Sequence, residues 1–114
     1  MNRRLSWPVP KPRCAKLLRL LAEPTRLSVV QRLLLGPHHV GELNSGVGVE
    51  QSLLSHHLRV LRDAGLVEAV RDGRSVLYRL SPTVAPRGNG REIDLGCCRL
   101  VFDSPGTVDR KATP

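Results

Sequence analysis

The chain has 114 residues, which makes one small domain and leaves little to spare. Eighteen Lys and Arg against ten Asp and Glu leave a formal charge of +8, pointing to a polyanionic partner, nucleic acid ahead of a membrane surface. Aromatic residues make up 3% of the chain, so its core must be built from Leu and Val, which favours packed helices over a large sheet sandwich.

Residues 1–13 are basic and proline-rich and read as a flexible arm. No secretory apolar region follows them, and no apolar run nears the roughly 18 residues of a membrane span, so a cytoplasmic protein is expected. Two helical stripes come next. Cys14, Leu17, Leu18 and Leu21 form the first; Leu27, Val30 and Leu34 form the second, which starts at Pro24, where a missing N–H costs nothing. Gly36-Pro37 stops it. Val40–Gly46 has room for two turns, with Val40, Leu43 and Val47 as its apolar side, and Gly46 and Gly48 bracket a tight turn.

A longer helix is expected from about Gln51 to Ala64, burying Leu54, Leu58 and Leu61. Gly65 supplies a left-handed stop, and Leu66 folds back onto the last turn. The apolar period then changes to two. Val67, Ala69 and Arg71 share one face, Val76, Tyr78 and Leu80 alternate with Leu77 and Arg79, and the hairpin turns at Asp72-Gly73. Ser81-Pro82 ends a domain of residues 14–82. Residues 83–91 read as a linker, 92–103 as a strand-like segment with Gly96 at a bulge or turn, and 104–114 as a disordered tail.

A helix, a stop and a basic-tipped hairpin make a device for reading duplex DNA. The helix enters the major groove and the hairpin reaches the flanking backbone. Gln51 and Ser52 begin the helix, Ser55 and His56 follow one turn later, and Arg59 reaches guanine or phosphate. His57 divides between a groove contact and a partly buried histidine bonded within the fold. Arg71 and Arg74 flank the hairpin tip and suit phosphate or the minor groove, whereas Tyr78 suits packing.

Catalysis finds no support. His38-His39 and His56-His57 are consecutive pairs, not the i, i+4 spacing that puts two imidazoles on one helix face, so they are not expected to bind zinc. Ser55 and His56 point about 100° apart, and Gly46-Val47-Gly48 lacks the rest of a phosphate loop. Three cysteines are an odd number for a disulfide framework and fit reduced thiols. Cys14 with Cys97 and Cys98 could offer three thiolates to a soft ion such as arsenite, antimonite or Cu(I), or act in a redox switch. In a regular strand Cys97 and Cys98 would point to opposite faces, unless Gly96 lets the chain bulge.

LAEPTRLSVVQRLLLG followed by VGELNSGVGVEQSLLSHHLRVLRDAGLVEAVRDGRSVLYRL resembles the winged helix-turn-helix domain of the ArsR/SmtB family of bacterial repressors. The resemblance covers Lys16–Ser81. Its specific parts are Glu23-Pro24-Thr25-Arg26, Leu54-Ser55-His56-His57-Leu58 with Leu61, Ala64-Gly65-Leu66-Val67, and Arg71-Asp72-Gly73-Arg74 before Tyr78. It implies a mainly α fold with a small β-hairpin wing, here with extra C-terminal strands. It also implies a homodimer that holds a double-stranded DNA operator and releases it on binding an inducer, often a metal or metalloid ion; no other cofactor is required. Three departures stand out. Glu50 takes the helix-cap place that the family gives to Ser, Glu42-Leu43-Asn44-Ser45 lacks the family's thiolate motif, and a strand-like tail replaces the usual C-terminal dimer helix. A winged-helix module that binds proteins without sensing a ligand is the alternative.

Overall fold

Helices α1 (Pro12–Leu21) and α2 (Pro24–Leu33) open the part of the chain that the computed structural model describes, residues 12–86 and 90–103. The arm up to residue 11, residues 87–89 of the expected linker and the tail 104–114 lie outside the described residues. Helix α1 takes in Pro12 and Arg13, two residues assigned above to the arm. It buries Cys14, Leu17 and Leu21, but Leu18 is 40% exposed, because a one-residue step of about 100° carries it off the stripe.

Proline occupies the first turn of α2 as expected, and the Glu23 carboxylate caps it by accepting from the Arg26 amide at 2.8 Å. Val29, Val30, Leu33 and Leu34 are buried, with Leu27 only partly so. Helix α3 (Val40–Val47) ends at Gly48, whose φ is +78°. Gly46 lies inside α3 rather than in a turn; a side chain there would collide with the Arg32 guanidinium.

Helix α4 (Gln51–Asp63) buries Leu54, Leu58 and Leu61. Gly65 ends it with φ +81°, and the Leu66 amide reaches back to the Leu61 carbonyl at 3.0 Å. That return places Leu66 in the core at 1% exposure and aims the chain into the hairpin.

Strands β2 (Val67–Asp72) and β3 (Ser75–Leu80) pair antiparallel with Asp72 opposite Ser75. The two loop residues are therefore Gly73 and Arg74, one position later than expected, with Gly73 taking the positive φ of +63°. A strand the sequence did not signal, β1 (His38–His39), adds to the other edge of β3 and pairs His38 with Tyr78 and His39 with Leu77. Two residues carry no periodicity that could have marked it.

The C-terminal segment forms the hairpin β4 (Glu92–Asp94) and β5 (Arg99–Val101), turning through Gly96. Ile93 and Leu95 join the core of the helical domain. So does Val84, at 5% exposure, so the segment expected to be a linker is anchored at its start by an apolar side chain.

Candidate DNA interface and thiol cluster

One stripe of α4, Leu54, His57, Leu58 and Leu61, is buried and fixes which way the rest of the helix faces. Gln51, Ser52, Ser55, His56 and Arg59 are all exposed, five of the six helix residues expected to contact DNA. The tight turn through Gly48 sets α3 and α4 as consecutive helices, with α4 presenting its first turn outward. Leu53, passed over in the sequence reading, is also exposed, at 45%. Glu50 makes no side-chain bond to the amides of α4 and accepts instead from the Ser52 hydroxyl.

His57 does not belong with the groove contacts. It is 6% exposed, and its Nδ1 lies 2.8 Å from Nη1 of Arg26, with Nε2 3.8 Å from the Glu23 carboxylate. Burial is the main cause pushing its pKa below 6.5; Glu23 opposes that push, and the Arg26 and His56 charges add to it. The partner is an arginine side chain from α2, a contact across 31 residues that helical spacing does not reveal.

At the wing, Arg71 and Arg74 are exposed at the tip, where they were expected. Tyr78 is partly buried and packs against the core. A clasp missed by the sequence reading holds the wing to α3. Nε2 of His39 lies 2.9 Å from the Asp72 carboxylate, and the His39 amide donates to Glu42 at 2.7 Å. That amide bond is the main cause holding the Glu42 carboxyl below the usual range; the nearby His39 and His38 charges act the same way. Consecutive histidines at 38 and 39 were weighed only as metal ligands, so this role carried no sequence signal.

The three cysteines come together although 83 residues separate the first from the second. Cys14 and Cys97 are joined as a disulfide with Cα atoms 6.2 Å apart, which departs from the expectation of reduced thiols. Cys98 is free and exposed, its sulfur 3.7 Å from that of Cys97. The geometric objection to neighbouring cysteines disappears because neither lies in a strand. Both sit in the turn between β4 and β5, closed by the Leu95 amide donating to the Cys98 carbonyl at 2.9 Å. All three sulfurs lie within 4.8 Å of one another. A common ion bound about 2.3 Å from each sulfur needs them about 4 Å apart, a spacing that Cys14 and Cys97 could take only once their bond is reduced. An open cavity of about 460 Å³ lined by Asp94, Gly96, Cys97, Cys98 and Arg99 exposes the two turn cysteines to solvent, whereas Cys14 is buried.

Residues 23–69, from the cap of α2 to the first wing strand, match the family model described as bacterial regulatory protein, arsR family. The regulator CmtR of Mycobacterium tuberculosis is 35% identical over 99 residues, covering 87% of this chain and 83% of CmtR. The chain belongs to the ArsR family. The regulator NmtR of M. tuberculosis is 48% identical over 69 residues, which is 60% of this chain and 58% of NmtR, so the match spans less than two thirds of that relative. Among solved structures, HlyU from Vibrio cholerae superposes with a TM-score of 0.59 at 39% identity, covering 62% of this chain and 77% of HlyU. These neighbours share the winged helix-turn-helix, and the family is one of transcriptional regulators rather than enzymes.

Proposed function

We propose that this ArsR-family chain is a sequence-specific DNA-binding repressor, acting as a cytoplasmic homodimer and released from its operator by chemistry at Cys14, Cys97 and Cys98. The observation that carries the DNA half is the outward face of α4, with Gln51, Ser52, Ser55, His56 and Arg59 exposed above a leucine stripe. Two such helices in a two-fold dimer would sit roughly 34 Å apart, in successive major grooves. Arg71 and Arg74 on the wing would neutralise phosphates and fix register.

The thiol half rests on the convergence of three sulfurs from opposite ends of the chain. In the reduced protein they would hold arsenite, antimonite or another thiophilic ion; an oxidant would instead close the Cys14–Cys97 bond. Either event ties the β4–β5 turn to α1. That helix reaches α4 through Arg26, which bonds both the Leu20 carbonyl and His57.

Titrating arsenite, Cu(I) or an oxidant into the reduced protein bound to its own upstream DNA tests the reading. Release by wild type, abolished in Cys97→Ser/Cys98→Ser, is expected. Release that persists in the double variant would remove the cysteines from the mechanism.

A further inference from the structure

A carboxylate stands where α4 would enter the groove. Glu50 is exposed and holds the cap position before α4, with φ −64° and ψ 143°, yet leaves the first-turn amides uncapped. Its carboxylate is held instead by the hydroxyl of Ser52, two residues on, which lies on the exposed side of the helix. Negative charge here opposes approach to phosphate. A chain of net charge +8 thus places a repulsive group at its reading end.

We propose that Glu50, positioned by Ser52, reads a cytosine in each operator half-site by accepting a hydrogen bond from its N4 amino group. This inference rests on the reading of α4 as the DNA-contacting helix. Base chemistry narrows the choice. Guanine presents two acceptors in the major groove, and thymine presents an acceptor and a methyl group, so neither can bond a carboxylate. Adenine places the N7 acceptor beside its N6 donor, and N7 repels the second carboxylate oxygen. Cytosine offers its amino group without that neighbour. On any other sequence the unpaired charge lowers affinity, so Glu50 contributes discrimination more than binding strength.

The test selects bound duplexes from a random pool with the full chain. Fluorescence anisotropy then compares the selected site, a scrambled duplex and single C:G exchanges for wild type, Glu50→Ala and Ser52→Ala. Wild type is expected to select a cytosine in each half-site. Glu50→Ala loses about tenfold discrimination there and binds the scrambled duplex more tightly. Ser52→Ala loses part of the same preference, and all three proteins keep similar melting temperatures. A half-site without a selected cytosine, or an unchanged preference in Glu50→Ala, overturns the assignment. Wild type selecting no sequence at all would overturn the DNA-reading function itself, a result distinct from either.

Discussion

Nη1 of Arg26 lies 2.8 Å from Nδ1 of His57, joining the start of α2 to the buried side of α4. Arginine can only donate, so Nδ1 accepts and the ring proton sits on Nε2, towards Glu23. The same guanidinium donates from Nε to the Leu20 carbonyl at 2.8 Å. One side chain of α2 thereby holds the end of α1 and the recognition helix in fixed relation.

That relation makes stability depend on pH. Burial keeps the folded pKa of His57 below the unfolded value of 6.5, so between the two only the unfolded chain takes up the proton. The contribution is complete above about pH 6.5 and is lost as pH falls through that window to the folded value. His57→Gln should unfold more easily at pH 7.5, by about 1–3 kcal/mol as the Arg26 contact is lost. Its deficit against wild type should shrink towards about pH 5. Thermal melts across that range measure both; a deficit independent of pH would contradict the assigned role.

The arrangement of sulfurs fixes which bond forms on oxidation. Mild oxidation followed by alkylation and peptide mapping should link Cys14 to Cys97 and leave Cys98 labelled. A crosslink across 83 residues stabilises by about 4.5 kcal/mol in the chain-entropy account, so reductant should lower the melting temperature. A vicinal Cys97–Cys98 product would be inconsistent with this geometry.

Gly65 sets the exit from α4 at φ +81°. Gly65→Ala places a Cβ in left-handed backbone and should cost about 1 kcal/mol, seen as a melting temperature lower by several degrees. No clash compounds it, since the nearest atom, on Arg13, is 4.0 Å from the added Cβ. An unchanged melt would mean that the left-handed stop is not required.

Arg59 and Arg74 should separate reading from holding. Arg59→Ala is expected to flatten the preference among operator variants. Arg74→Ala should weaken binding evenly and reduce the log–log salt slope by about one. Binding isotherms on operator and scrambled duplexes between low and moderate salt give both quantities. Equal losses on every sequence from both changes would contradict the division.

Much of this molecule was legible beforehand because its signals are local. Leu54, Leu58 and Leu61 gave the buried stripe of α4, Gly65 its end, and the change of apolar period the wing. What escaped depends on contacts between distant residues. His57 divides between groove and interior until Arg26 arrives from α2, and His39, discounted as a metal ligand, has no legible role until the wing brings Asp72 to it. Cys97 and Cys98 were legible as a candidate pair, but their shared turn and its approach to Cys14 follow from Ile93 and Leu95 docking in the core.

The affinity ratio between the selected operator and a scrambled duplex of equal length, measured by anisotropy at one physiological salt concentration, tests the central claim most directly. An α4 that reads base edges predicts a ratio of about a thousandfold or more. A ratio near one would leave a basic protein that binds DNA only through its charge, and would contradict the account.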